Sequence, residues 1–325
     1  MFQFRNLFSP DDGSKPQPAK PEAIEPENSL EKIKTNYAEA IKAREEAYDQ
    51  DVAVNKKMEN KRSNLETHNK IVLGYADELV KLSDLSEEDK AAVYLAVIFH
   101  DSGKLSKGLV EHDLNHHIMG REYAEKMLDK LPPIKQGDET IEITPELKEK
   151  ILQAIKRHMN HPFLVKFNKG ERFPEPENEV DKIVFDADMM ANVGFKNVGF
   201  RLITKSYIND DIAAASLKGI PALEETFNNV MAGVSALDKI VLSDAVKKRA
   251  GQLVEDAVKI YEYLKDSNVF KNIQEKYEDN GEYNFGTINK APGGVQELKK
   301  DLNSAIKKAA QALGIEEKIV KNFLM

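Results

Sequence analysis

The sequence predicts an all-α fold, with a long N-terminal helix, a helical core and additional helices at the C-terminus. Apolar residues recur three or four positions apart in nearly every segment, which places them on one face of a helix. No segment shows a convincing alternation of apolar and polar residues, the pattern of a half-buried strand. Helix start signals precede two of the periodic segments, at Ser86 and at Thr144.

The N-terminal part divides into two segments. Residues 1–28 are rich in proline and charge from position 9 onward, so we expect this segment to be disordered. Residues 29–63 contain neither glycine nor proline, and their apolar positions recur at helical spacing: Leu30, Ile33, Tyr37, Ala40, Ile41 and Tyr48. This segment is predicted to form a long amphipathic helix that packs on the core or on a second chain.

Residues 64–207 are predicted to form the core, and they hold all seven histidines. The run from Ala91 to Phe99 is apolar on every side, which is typical of a buried helix. Ser86, followed by Asp89, is a cap pattern for its start, and Thr144 with Pro145 predicts the start of another helix. Residues 162–179 form a polar, proline-bearing interruption, which we interpret as a loop able to cover a site.

Residues 208–325 contain no histidine and are predicted to form further helices separated by glycine and proline. The sequence leaves three roles open for this region: a scaffold, an oligomerisation surface or a wall of the substrate site.

The composition restricts the partners and the compartment. A net charge of −8 and a pI near 5.6 argue against a general binder of nucleic acids or anionic membranes. The absence of cysteine excludes disulfides and thiolate chemistry, so a zinc site would use histidine and carboxylate ligands. No apolar stretch reaches the ~18 residues of a membrane span, and the N-terminus lacks the apolar region of a signal peptide. The cytoplasm is therefore the expected location, with export by a specialised system left open.

Several histidines and aspartates fall on the apolar faces or at the ends of the predicted helices: His68, His100, Asp101, His116, His158 and Asp188. Taken singly, such a residue is most often a hydrogen-bonded core residue or a cap. Each desolvated polar group costs about 1–3 kcal/mol unless it is satisfied, and one shared cation would satisfy the whole set. Asp101 adds to this argument because it falls near a helix C-terminus, where the macrodipole disfavours a negative charge.

The neighbours of these residues are predicted to lie elsewhere. His117 is rotated by about 100° from His116, onto a mixed face nearer solvent. Gly120, one turn after His116, would leave room for a second ion or for a substrate. His112 stands in a polar stretch that we interpret as a loop, and Asp186 shares a more polar face than Asp188.

The series His68, His100-Asp101 and Asp188 resembles the signature of the HD-domain superfamily of metal-dependent phosphohydrolases. In that family a histidine, a His-Asp pair and a distant aspartate lie on separate helices of an all-α core. The resemblance covers roughly residues 64–205. The sequence "HDSGK" at 100–104 is similar to the family's His-Asp-x-Gly-Lys. The sequence "DADMMANVGF" resembles its Asp-Ala-Asp helix, in which the second aspartate, here Asp188, is usually the ligand.

Two further stretches resemble the ligands of two-metal members of this family. "HHIMG" selects His116, and "AIKRHMNH" selects His158 with His161 as the second choice. The resemblance implies that a first ion is bound by His68, His100, Asp101 and Asp188. Asp101 would bridge to a second ion, which His116 and His158 also bind. The implied cofactor is one or two divalent ions of Mn, Fe, Zn, Mg, Co or Ni.

The implied activity is hydrolysis of a phosphate ester, with a nucleotide as the expected substrate, by a metal-activated water. Asp101 and Lys104 are the expected catalytic residues. Lys104 and Arg201 are the expected contacts of the substrate phosphate, with Arg157 as a weaker candidate. The expected partner is a small phosphorylated molecule, with no membrane and no nucleic acid, and a homo-oligomer stays open.

Two other functions stay open. Some members of the superfamily are mixed-valent di-iron oxygenases with the same ligand set, and an inactive nucleotide-binding protein of this family is the other alternative. Hydrolysis under anaerobic conditions with Mn would favour the phosphohydrolase, and oxygen uptake that requires Fe would favour the oxygenase. The segment after His158 lacks the Gly-Tyr-Pro pattern of cyclic-di-GMP phosphodiesterases, so that activity is not expected.

Overall fold

The computed structural model describes residues 26–54, 59–105, 111–160, 170–193, 231, 237–280 and 285–315. The helices are α1 (Pro26–Asn36), α2 (Ala38–Val54), α3 (Glu59–Lys81), α4 (Glu87–Phe99), α5 (Glu111–Leu128), α6 (Pro145–Arg157), α7 (Glu179–Val193), α8 (Leu237–Ile240), α9 (Asp244–Asp266), α10 (Val269–Tyr277), α11 (Phe285–Lys290) and α12 (Gly294–Ala312). The two strands, β1 (Ile134–Gln136) and β2 (Glu139–Ile141), are short. The predicted all-α class is confirmed.

The hairpin of β1 and β2 is a feature that the sequence did not predict. The strands pair antiparallel, with Ile134 opposite Ile141 and both side chains buried. Gly137 turns the chain with φ 61°, a left-handed conformation that glycine adopts at little cost. Strands of this length contain too few residues to display an alternating pattern.

The N-terminal segment forms two helices that meet at Tyr37. The backbone N–H of Tyr37 donates to Ile33 O at 2.9 Å, and Ile41 N–H donates to Tyr37 O at 3.0 Å. These bonds carry the helical pattern across the junction of α1 and α2. The boundary predicted at residues 63 and 64 falls inside α3. Of the segment predicted to be disordered, residues 1–25 lie outside the described part, and residues 26–28 belong to α1.

Helix α4 lies at the centre of the core and packs against α3, α6 and α7, while α5 packs against α6. All residues from Ala91 to Phe99 are buried, as their apolar composition predicts. The side chain of Ser86 accepts a hydrogen bond from Asp89 N–H at 3.1 Å. Thr144 accepts one from Leu147 N–H at 3.2 Å, so both predicted helix starts are confirmed.

The described C-terminal residues are helical, as predicted. Helix α8 contacts α7 of the core, and α9 packs against α12. Within the described ranges, no helix combines the length and apolar character that a membrane span requires.

Candidate metal centre

The predicted ligands come from five helices and meet in the core. His68 lies in α3, His116 in α5 and Asp188 in α7. His100 caps the C-terminus of α4 and is followed directly by Asp101, while His158 caps the C-terminus of α6. Each of these side chains is buried, and His100, Asp101 and His158 are 0 % exposed. Packing of apolar helices around α4 thus gathers six polar side chains into one largely buried cluster.

One group of ligand atoms surrounds the Nε2 atoms of His68 and His100. His68 Nε2 lies 3.0 Å from Asp188 Oδ1 and 3.6 Å from Asp101 Oδ2. His100 Nε2 lies 3.5 Å from Asp101 Oδ2 and 3.7 Å from Asp188 Oδ1. His68, His100 and Asp101 form one group of possible ligands for a divalent ion, and Asp188 forms another with His100 and His158.

A second group shares Asp101 with the first. The other oxygen of this carboxylate, Oδ1, lies 3.3 Å from His116 Nε2 and 3.9 Å from His158 Nε2. The Nε2 atoms of His116 and His158 are 3.0 Å apart. The two oxygens of Asp101 face different histidines, so this carboxylate belongs to both groups of possible ligands.

The hydrogen bonds of two histidines fix the nitrogen that faces the site. His100 Nδ1 donates to Val97 O at 2.7 Å, and His158 Nδ1 donates to Ile155 O at 2.6 Å. In the neutral rings the Nε2 lone pairs therefore point inward, the arrangement common among metal-ligating histidines. His100 Nε2 and Asp101 Oδ1 are buried with no hydrogen-bond partner among the described residues. A divalent cation would satisfy both atoms, so the residues present fit a metal ion.

The charges of the site depend strongly on one another. Burial would raise the pKa of Asp101, but the neighbouring positive charges of His100 and Lys104 outweigh burial and hold that pKa far below its usual range. Burial likewise opposes a charge on His100, but Asp101 and Asp188 prevail and raise the pKa of His100. Burial and the adjacent His100 lower the pKa of His158 to about 3, so this ligand is neutral at neutral pH. Asp101 is thus held as a carboxylate, the form that binds a metal.

Lys104 lies beside the carboxylate that the two groups share. Its Nζ is 2.8 Å from Asp101 Oδ2, and its side chain is 20 % exposed. Lys104 is therefore placed between the buried carboxylate and the surface.

The two aspartates of the Asp-Ala-Asp sequence serve different parts of the molecule. Asp188 faces the histidines, whereas the carboxylate of Asp186 accepts hydrogen bonds from Leu242 N–H at 2.8 Å and Ser243 N–H at 2.9 Å. Burial raises the pKa of Asp186 to about 6, although these two donors act in the opposite direction. Asp186 thus joins α7 to the start of α9. It is 0 % exposed, so the more polar face predicted for it is wrong.

Three predictions about the helix of His116 are wrong. His117 is 5 % exposed, because its ring lies 5.3 Å from the ring of Phe173, which comes from a distant segment and covers this face. His112 belongs to α5 and not to a loop, since a polar stretch is compatible with either structure. Gly120 does not leave room for an ion. A Cβ atom there would lie 2.7 Å from the carbonyl oxygen of His100, so the two backbones are in close contact.

The remaining candidates lie away from the ligand atoms or beyond the described ranges. Arg157 pairs with Asp181 at 2.7 Å and Glu177 at 2.6 Å, and its side chain is 14 % exposed. It therefore connects α6 to the start of α7. Arg201 and His161 lie outside the described residues, as do residues 162–169 of the predicted covering loop.

One buried charge in α2 was not predicted from the sequence. Arg44 in α2 is 7 % exposed. The signal was present, because Arg44 falls four positions after Ala40 and four before Tyr48, on the apolar face of the predicted helix.

The HD domain family model matches residues 65–193. This stretch begins in α3 and ends at the last residue of α7, so it contains every predicted metal ligand. Residues 65–193 therefore form an HD domain, the domain found in a superfamily of metal-dependent hydrolases. No curated protein and no solved structure matched the chain.

Proposed function

We propose that this protein is a metal-dependent phosphohydrolase that acts on a nucleotide or a related phosphate ester. The observation that carries the proposal is the pair of ligand groups that share Asp101. Its Oδ2 lies 3.5 Å from His100 Nε2 and its Oδ1 lies 3.3 Å from His116 Nε2. Divalent ions held by these residues would supply a metal-activated water and would neutralise charge on a phosphoryl group.

The proposed ligands divide between two ions. His68, His100, Asp101 and Asp188 would hold the first, and Asp101, His116 and His158 would hold the second. Imidazole and carboxylate ligands suit Mn, Fe, Zn, Co and Ni, and Mg accepts the carboxylates. The backbone carbonyls of Val97 and Ile155 keep two of the imidazoles turned toward the site.

Lys104 is proposed to act next to the ions. An ion at Asp101 Oδ2 would compete with the ammonium group that lies 2.8 Å from this oxygen. The partly exposed side chain would then be available for a phosphoryl oxygen of the substrate. The overall charge of −8 supports a small phosphorylated molecule as the substrate in preference to a nucleic acid.

The test is a panel of nucleotides and simple phosphate esters with the Mn-loaded full chain under anaerobic conditions. We expect phosphate release from at least one nucleotide, and its loss in Asp101→Ala. Asp129→Ala is the matched control, because the side chain of Asp129 is 65 % exposed and forms a surface pair with Lys148. Phosphate release that survives in Asp101→Ala would place the chemistry elsewhere. Oxygen consumption by the Fe-loaded chain, without any phosphate release, would replace the hydrolase by the di-iron oxygenase.

A further inference from the structure

Arg44 interrupts an otherwise apolar buried stripe. Ile33, Tyr37, Ala40, Ala47 and Tyr48 follow one another at helical spacing along α1 and α2, and all are buried. Arg44 stands in the middle of this stripe and is itself 7 % exposed. A charge placed there loses most of its hydration.

The described residues around this guanidinium compensate little of the lost hydration. Among the described residues, the carboxylate within 4 Å of Arg44 is that of Glu45, its sequence neighbour, at 3.8 Å. The side chain of Glu45 is 47 % exposed, so this pair is screened by water. Arg44 Nε is buried and has no hydrogen-bond partner in the part of the chain that the structure describes, and the guanidinium lies 5.9 Å from the centre of the Tyr48 ring. A buried, poorly paired cation is a costly feature unless an anion binds to it.

Tyr48 connects Arg44 to the metal centre. Its hydroxyl accepts a hydrogen bond from Asn69 Nδ2 at 3.0 Å, and Asn69 follows His68 directly. Its ring packs in a small apolar cluster with Leu65 and Leu105, and Leu105 follows Lys104. Burial raises the pKa of Tyr48, the positive charge of Arg44 opposes this, and the negative charge of Asp101 adds to it. Arg44 thus lies 5.9 Å from a ring that contacts Asn69 and Leu105, the chain neighbours of His68 and Lys104.

We propose that Arg44 binds a phosphoryl group of the substrate and forms the cationic side of the site opposite the metal ligands. The proposal rests on the proposed phosphohydrolase function. A guanidinium presents two parallel N–H donors that match two phosphoryl oxygens. Arg44 comes from α2, outside the HD domain match, so the N-terminal helix would contribute a substrate contact that the HD domain itself lacks.

The experiment titrates pyrophosphate into the Mn-loaded full chain by calorimetry and compares Arg44→Met, Arg44→Lys and wild type. Methionine keeps the apolar stem without the charge, and lysine keeps the charge without the paired donors. The matched control is Arg62→Met, because Arg62 is already paired with Asp49 and Glu66. Mn stoichiometry and the thermal midpoint are measured for every variant.

We expect Arg44→Met to weaken pyrophosphate binding by about tenfold or more, and Arg44→Lys to fall between it and wild type. Arg62→Met should change binding by less than about twofold. Arg44→Met should keep the wild-type Mn stoichiometry and melt no lower than wild type, since it removes a poorly paired buried charge.

Pyrophosphate binding by Arg44→Met that equals wild type would overturn the role of Arg44 and leave the proposed function standing. A lower thermal midpoint or loss of Mn in Arg44→Met would also overturn it, because the residue would then be structural. Wild-type protein that binds Mn but neither binds pyrophosphate nor hydrolyses any phosphate ester would contradict the proposed function itself.

Discussion

Gly120 sets the distance between α5 and the His-Asp pair, and replacing it with alanine should push the helix away. The added Cβ would lie 2.7 Å from the carbonyl oxygen of His100, a backbone atom that cannot rotate aside. Ordinary contact begins near 3.4 Å, so the backbones must separate by about 0.7 Å, the difference between these two values. His116 lies one turn before Gly120, and its Nε2 is 3.3 Å from Asp101 Oδ1. The same displacement would therefore disturb the second group of ligands.

The matched control is Gly251→Ala in α9, where a Cβ atom meets nothing within 4 Å. Alanine in a helix interior is favoured over glycine by about 1 kcal/mol, so Gly251→Ala should stabilise the protein by roughly this amount. At Gly120 the same gain is opposed by about 1–3 kcal/mol of overpacking. The free energies of unfolding of the two variants should thus differ by about 1–3 kcal/mol, with Gly120→Ala the less stable.

Urea denaturation of the metal-free chains measures this difference, and Mn titration measures the effect on the site. We expect Gly120→Ala to weaken binding of the second Mn ion more than binding of the first. If Gly120→Ala is as stable as Gly251→Ala and binds Mn like wild type, the close contact between α5 and the His100 turn has no consequence for the site and the reasoning is wrong.

Three other perturbations test separate parts of the site. His116→Ala should weaken binding of the second Mn ion by at least about 10–100-fold. His117→Ala should bind both ions but lose about 1–3 kcal/mol of stability, because its packing on Phe173 is gone. Equal loss of Mn binding in both variants, measured by titration, would contradict the ligand assignment. Asp186→Ala should lower the free energy of unfolding in urea by about 1–3 kcal/mol, since the backbone N–H groups of Leu242 and Ser243 lose their acceptor, and the variant should keep bound Mn. Loss of Mn with unchanged stability would show that this carboxylate serves the metal. Metal affinity should fall as the pH is lowered, because the raised pKa of His100 means that a proton must leave before a metal binds. Each displaced proton weakens metal binding roughly tenfold per pH unit below that pKa. Calorimetry that finds the same affinity at pH 6 and pH 8 would exclude this coupling.

The helices around the site were predictable because their signals are local. The cap at Ser86 and the start at Thr144 depend on residues within one turn, and both form as predicted. The apolar run that ends at His100 has one plausible structure, a buried helix. His68 and Asp188 are 120 positions apart in the sequence and lie in contact. Their proximity was predictable because each lies on the inward face of its helix and because the HD-domain resemblance groups them.

The environment of individual faces was less predictable, because it depends on segments distant in sequence. His117 looked exposed on its own helix, and Phe173 buries it. Asp186 looked polar, and the start of α9 buries it with two backbone donors. Gly120 looked like an open space, and the backbone of His100 fills it. In each case helical periodicity gave the direction of a residue but could not identify what lies opposite.

Anomalous diffraction from crystals of the full chain grown with Zn²⁺ tests the central claim most directly, since it locates the ion and its ligands together. The account predicts one or two Zn²⁺ peaks within about 2.0–2.2 Å of His100 Nε2 and of an oxygen of Asp101. A folded chain with these side chains placed as described and no anomalous peak between them would contradict it.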